Sequence, residues 1–270
     1  MFKTRLISGI VLVAVAIVLM VLGNEVLLTA MLAISLIGMF ELYRVLKIEK
    51  SLMAVVSYLA AIIYYCNLEW HFIPDIMIWV MLYVIALMFV YVLNYPKFEA
   101  YQLFGTFFGL FYVGMMLSYI YQIRMLDRGE YLVWLIFLCS WGCDTCAYCV
   151  GKLWGKAFGN HKMSPKLSPN KSIEGAVGGV AGAFLLTALY AAIFKAQMGI
   201  SSQEILILAV ISAVGGLISM IGDLTASAIK RNYDIKDYGR LIPGHGGILD
   251  RFDSMIITAP IIFYLAFYLM

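Results

Sequence analysis

Charge is scarce in this sequence. Asp, Glu, Lys and Arg make up 13% of its 270 residues, and 63% are apolar. A soluble domain carries about a quarter charged residues, so a mean hydropathy of +0.92 excludes a soluble enzyme and a disordered chain alike. An excess of one sign is lacking too: the net charge is +3, too little to suggest a nucleic-acid partner. The five cysteines, Cys66, Cys139, Cys143, Cys146 and Cys149, lie in or beside apolar segments. Free Cys there behaves as a small hydrophobe, which excludes a disulfide-stapled secreted module. No removable signal peptide is expected, because the first apolar run, from Leu6, suits a spanning helix better. Barrel-type alternation is absent as well. What remains is an all-α, polytopic integral membrane protein.

About 20 apolar residues in a helix cross a hydrocarbon core of about 30 Å. The pattern predicts nine spans, at roughly 6–22, 26–46, 52–66, 74–94, 103–122, 131–150, 174–194, 205–228 and 252–269, the third of them short. All but three of the 19 Lys and Arg then fall on one side, the exceptions being Arg124, Arg128 and Lys195. The positive-inside rule makes that side cytoplasmic. The N-terminus and two long loops, 151–173 and 229–251, are expected there, with the protein in the cell's inner membrane. Residues 1–130 read as a transmembrane scaffold of about five helices and 131–270 as the catalytic region. In the latter, Gly175, Gly179 and Gly178, Gly182 form overlapping GxxxG patterns of the kind that pack helices closely.

An ionisable group inside a span costs about 2.5–3.5 kcal/mol on insertion scales and is a functional hypothesis by default. Asp144 and Asp223 are such groups. Asp250 and Asp253 open the last helix behind Pro243-Gly244-His245-Gly246-Gly247. Glycines there would let backbone N–H groups close on a ligand, and a helix N-terminus attracts anions; acids in that turn also serve as plain caps. Carboxylates beside Lys and Arg fit Mg²⁺, which takes one or two protein carboxylates and completes its shell from water and phosphate. The loop Ser168-Pro169-Asn170-Lys171-Ser172 offers a phosphate-binding lysine and neutral donors, with Ser172 equally placed to cap the seventh helix. Thiols of Cys143, Cys146 and Cys149 fan around one helix and are not expected to bind metal. His71 and His161 read as solvated loop residues.

The segment from Ser227 through Lys230-Arg231, Lys236-Asp237 and Pro243-Gly-His245-Gly246-Gly247-Ile-Leu-Asp250-Arg251-Phe-Asp253 resembles the signature of the phosphatidate cytidylyltransferases, the CDP-diacylglycerol synthases. Gly222-Asp223 and the Ser168–Gly175 loop are similar to the family as well, with Asn170 and Ser172 standing where Lys and Thr are common. The likeness covers roughly 139–254. It implies condensation of CTP with phosphatidic acid to CDP-diacylglycerol and pyrophosphate, with Mg²⁺, in a homodimer whose site faces the cytoplasm. On this reading Asp223, Asp250, Lys230, Arg231 and Arg251 are catalytic. Ser168, Lys171, Ser227, Lys236, Asp237, His245, Gly246, Gly247 and Asp253 bind substrate. Asp144, Asp223 and Asp250 are the metal ligands, with room for a second cation in a two-metal site.

Three other readings compete. A CTP-dependent polyprenol or phytol kinase would transfer the γ-phosphate and release CDP. A CDP-alcohol phosphotransferase would show an Asp-Gly-x-x-Ala-Arg pattern that is absent here. An ion-coupled transporter predicts inverted repeats, and none is visible.

Overall fold

Within lipid every backbone polar group must be satisfied by the chain itself, and for long apolar runs the helix does this locally. The computed structural model describes residues 2–159, 161–165 and 167–269, without the side chains of 2–5 and 156–158. Among the basic residues that orient the spans, Lys166 and the side chains of Lys3, Arg5 and Lys156 therefore lie outside the described residues. Helix α1 is Phe2–Leu22. It is followed by α2 (Asn24–Val45), α3 (Leu52–Trp70), α4 (Ile76–Leu93), α5 (Ala100–Arg124) and α6 (Gly129–Gly155), whose winding continues to Phe158. Next come strands β1 (Lys162–Ser164) and β2 (Ser168–Ser172). The chain ends with α7 (Ile173–Ile193), α8 (Ser202–Asn232) and α9 (Leu249–Leu269). Among the described residues eight helices, α2 to α9, are long and apolar enough to cross a membrane; the apolar part of α1 is Leu6–Leu22. The protein is an all-α, multi-pass membrane protein.

Two features differ from the sequence expectation. The third span is not short, since α3 runs four residues further, to Trp70. The segment expected as a loop at 151–173 is largely structured: α6 extends into it, and β1 and β2 form an antiparallel hairpin pairing Lys162 with Ser172 and Ser164 with Ser168. Apolar alternation could not reveal a hairpin whose strands hold Ser, Pro, Asn and Lys with a single Met.

The chain divides into two compact units, Met1–Ser118 with Asp237–Arg251, and Tyr119–Lys236 with Phe252–Met270. In the first, Tyr43, Tyr65, Met31, Met39 and Met53 form a sealed core. Hydroxyls buried there find partners on neighbouring helices: Ser35 with Tyr65 (2.7 Å), Ser57 with Tyr83 (2.8 Å), and Tyr43 donating to the Thr106 carbonyl (2.7 Å). Such bonds contribute about 0.6 kcal/mol each in membrane proteins. Helix α4 shows the arrangement most plainly. Trp79, Tyr83, Leu87 and Val90 are buried, while Met81, Leu82, Ile85, Phe89 and Val92 point outward, a face suited to lipid and not to water.

The second unit is built on small residues. A Cβ on Gly178 would stand 2.4 Å from Val150, and one on Gly182 2.4 Å from Cys146. Only glycine permits so close an approach of α7 to α6, as the GxxxG pattern predicts. Thr187 and Ser212 then join α7 to α8 at 2.8 Å. Just before Asp144, residues Leu138–Gly142 adopt a π-helical turn, which resets the face that the next residues present. Such turns are frequent at functional sites.

Candidate active site

Between α6, α7, α8 and the hairpin, the second unit holds a cavity of about 580 Å³. Asp144 reaches it from α6, Asp223 from α8, and Ser168, Asn170 and Lys171 from the hairpin; Lys152 and Lys162 also line it. Lys171 is placed by its neighbour in the chain. Ser172 caps α7, its hydroxyl accepting the Gly175 N–H at 3.1 Å, so the hairpin is fixed directly to a helix start. The Lys171 ammonium ion-pairs with the Asp223 carboxylate, the two side chains being 23% and 28% accessible. Asp144 is exposed to the cavity.

Beside this cavity, α8 and α9 come close at Gly222, where a Cβ would lie 2.8 Å from the Asp253 carbonyl. Lys230 and Asp253 face each other across that contact at 4.0 Å, both largely buried. Ser227 lies half-buried on α8, Arg231 donates to the Ile235 carbonyl at 3.3 Å, and Lys236 is exposed. None of these four basic and hydroxyl residues lines the cavity.

In the first unit the glycine-rich loop is held from several directions. Asp250, largely buried, accepts N–H groups from Tyr238 (2.8 Å) and Gly247 (2.9 Å) on one carboxylate oxygen. Gly246 sits at φ 87° with Asp250 where its Cβ would be, a conformation and a contact that both call for glycine. His245 Nδ1 meets Ser8 Oγ of α1 at 2.8 Å, and that hydroxyl donates to the Pro243 carbonyl at 3.0 Å. Arg251 keeps its Nε buried without a hydrogen-bond partner among the described residues, and Asp237 is exposed.

The backbone donors at the start of α9, expected to receive a substrate anion, are already engaged. Ile248 and Leu249 donate to the carboxylate of Glu41, at 3.1 and 2.8 Å, and Gly247 donates to Asp250. The anion at that helix N-terminus belongs to the protein. Glu41 is absent from the sequence reading, and Arg44, whose guanidinium donates to the Tyr238 carbonyl, enters it only as one of the charges expected on the cytoplasmic side. Both stand inside an apolar run, the same signal that marks Asp144. His161 is exposed, as expected, and its ring also bonds to the Glu174 carboxylate. Cys143 is buried against Gly216, Cys146 is half-buried beside Gly182, and Cys149 is exposed.

Among the described residues no three His, Cys, Asp or Glu gather into a metal cage. Asp144 and Asp223 are two hard carboxylates on one open cavity with hydroxyl and amide oxygens nearby. That set suits Mg²⁺, which binds few protein groups and keeps its water. An ammonium resting on Asp223 shows that the position already attracts a cation.

A multi-pass helical protein with carboxylates and lysines around one polar cavity has the equipment of a membrane enzyme acting on phosphates. The chain belongs to the cytidylyltransferase family, matching it over residues 3–269, and is a nucleotidyltransferase by that membership. Among curated proteins it is 32% identical over 270 residues to the phosphatidate cytidylyltransferase of Bacillus subtilis strain 168, covering 97% of each chain. It is 38% identical over 160 residues to the phosphatidate cytidylyltransferase of Rickettsia felis, covering 58% of this chain and 68% of that one.

Proposed function

We propose that this protein is a phosphatidate cytidylyltransferase, condensing CTP with phosphatidic acid to give CDP-diacylglycerol and pyrophosphate. The observation that carries this reading is the cavity joining Asp144 and Asp223 to Lys171. Lysines there suit a triphosphate, and carboxylates suit its Mg²⁺. A lipid co-substrate is supported by an apolar groove of about 720 Å³ between α7 and α8, lined by residues such as Val177, Phe184 and Leu217. It shares Met163 and Ala176 with the polar cavity, so a phosphate and its acyl chain would each meet a matching surface.

The reaction needs no strong base, because the phosphatidate oxygen is already anionic. That oxygen attacks the α-phosphorus of CTP, the bond to the bridging β-phosphate oxygen breaks, and pyrophosphate carries the electron pair away. Catalysis is then positioning and charge stabilisation. Asp144 and Asp223 would hold Mg²⁺, with Asp250 retained as a third ligand on the strength of the signature alone; a second cation would fit the charge of two polyanions. When bound, the metal neutralises phosphate charge and aligns the leaving group. Lys171 leaves Asp223 to meet a phosphate, and Ser168 donates beside it. Lys230, Arg231 and Arg251 supply further positive charge, with Asp253 orienting Lys230. Ser227, Lys236, Asp237, His245, Gly246 and Gly247 complete the nucleotide contacts. The segregation of Lys and Arg supports a site facing the cytoplasm from the inner membrane, and the family resemblance supports a homodimer.

The test is purified protein with α-labelled CTP, phosphatidic acid and Mg²⁺, with and without EDTA. Metal-dependent label in the lipid phase with matching pyrophosphate is expected. Folded, CTP-binding protein that labels no lipid overturns the reading, and γ-labelled CTP with a polyprenol then tests for a kinase.

A further inference from the structure

Glu41 lies four residues before the end of α2, in the half of the chain that reads as scaffold, and is 3% exposed. An acid buried in a span needs compensation, and Glu41 finds all of its described hydrogen bonds in one place. Both oxygens accept backbone N–H groups at the start of α9, from Ile248 and Leu249. Those donors have no partner within their own helix, and the helix dipole favours an acid there. The loop before α9 folds against the same carboxylate. A Cβ on Gly239 would stand 2.1 Å from it, and one on Gly247 2.4 Å. Arg44, one turn along α2, holds the Tyr238 carbonyl, while Asp250 holds the Tyr238 and Gly247 N–H groups from within.

The segment 238–248 has little structure of its own beyond a bridge between Ile242 and Gly246. Its shape depends on these outside contacts, and it carries His245 and leads into Asp250 and Arg251. We propose that Glu41 is a positioning residue for catalysis, holding the glycine-rich loop in the form that receives CTP. This rests on the proposed function and adds a residue outside the signature to it. If the grip loosens, only a fraction of molecules present the competent loop, and apparent CTP affinity falls by that fraction. Saturating CTP reorders the loop, so turnover is affected less.

The experiment compares Glu41→Gln with Ser35→Ala in the purified, full-length protein. Gln keeps one acceptor and sets an NH₂ against the other N–H. Ser35→Ala breaks the buried bond to Tyr65 on the same helix bundle and leaves the loop alone. Expected for Glu41→Gln are a KM for CTP raised at least about fivefold, a kcat within about threefold, an unchanged KM for phosphatidic acid, and faster amide exchange over 238–249. Ser35→Ala changes none of these. A lower kcat at unchanged KM, tracking lost folded protein, overturns the proposal, as does the same profile in both variants. Gly239→Ala pushes the loop off Glu41 from the other side and serves as the test if Glu41→Gln does not fold; a normal KM for CTP in it overturns the proposal. Should the wild type transfer no cytidylyl group, the proposed function falls alone. Exchange over 238–249 then decides the grip, and unchanged exchange in Glu41→Gln overturns it.

Discussion

Asp223 and Glu41 are both acids on apolar helices, and they differ in the partner each meets. Asp223 faces the Lys171 ammonium at the wall of a cavity. Glu41 is sealed from solvent and faces the backbone N–H groups of α9. A lysine side chain can swing aside for a metal or a phosphate. Helix N–H groups cannot, so a carboxylate bound to them is committed to architecture. For these two acids, partner mobility, more than depth in the membrane, separates the one free to meet a metal from the one that holds a helix start.

Asp223→Asn is the strongest way to break this contrast. It removes the charge a metal needs and keeps the side chain's size, so activity is expected to fall about 10²–10³-fold. The thermal midpoint in detergent should stay put, because a partly exposed ion pair contributes little. Retention of more than about a tenth of wild-type activity sinks the metal assignment. Lys171→Ala probes the mobile partner. The KM for CTP is expected to rise about tenfold, the value of one charged hydrogen bond. The Mg²⁺ concentration giving half-maximal rate is expected to fall, since no ammonium then competes for Asp223. A metal titration that moves the opposite way removes Lys171 from that position.

The contacts behind the cavity give smaller effects. Gly182→Val sets side-chain atoms against Cys146, where a Cβ alone would be 2.4 Å away. Overpacking of this kind costs about 1–3 kcal/mol, and parting α6 from α7 also moves Asp144. A lower thermal midpoint with a raised KM for CTP is expected. An unchanged midpoint means that the helices have room the packing denies.

Asp144, Asp223 and Lys171 were legible in the sequence because charge within or beside an apolar run is conspicuous whatever the fold. Gly178 and Gly182 were legible for a similar reason, since spacing along one helix is local information. Glu41 obeys the same rule and went unread. It stands three residues before Arg44, where charge looks like the edge of a span, and its partners are backbone groups 207 and 208 residues away. No side-chain pattern records a backbone donor. The hairpin was hidden because its strands alternate no apolar residues, and the π-helical turn before Asp144 was hidden because it leaves no compositional trace. Sequence pattern thus locates the residues that line a cavity better than those that shape the loop beside α9.

Ser172→Ala is the finest test of how the cavity's mobile partner is aimed. Ser172 ends β2, comes directly after Lys171 and closes the first turn of α7 through the Gly175 N–H at 3.1 Å. Losing an N-cap oxygen costs about 1 kcal/mol, which in a chain of this size shifts the thermal midpoint by about 2 °C. If the cap only stabilises α7, kinetic constants stay at wild-type values once folded protein is matched. If it also sets the angle at which Lys171 enters the cavity, the KM for CTP rises about two- to threefold while kcat holds, within the reach of about 0.5 kcal/mol at one contact. We expect the second result, because β2 runs from Lys171 through Ser172 straight into α7, whereas the His161–Glu174 bond holds the other strand of the hairpin. Ser172→Thr keeps the capping oxygen and should restore both constants; if it does not, the crowding of Gly151, whose Cβ would lie 3.1 Å from the Ser172 hydroxyl, governs the angle instead of the cap.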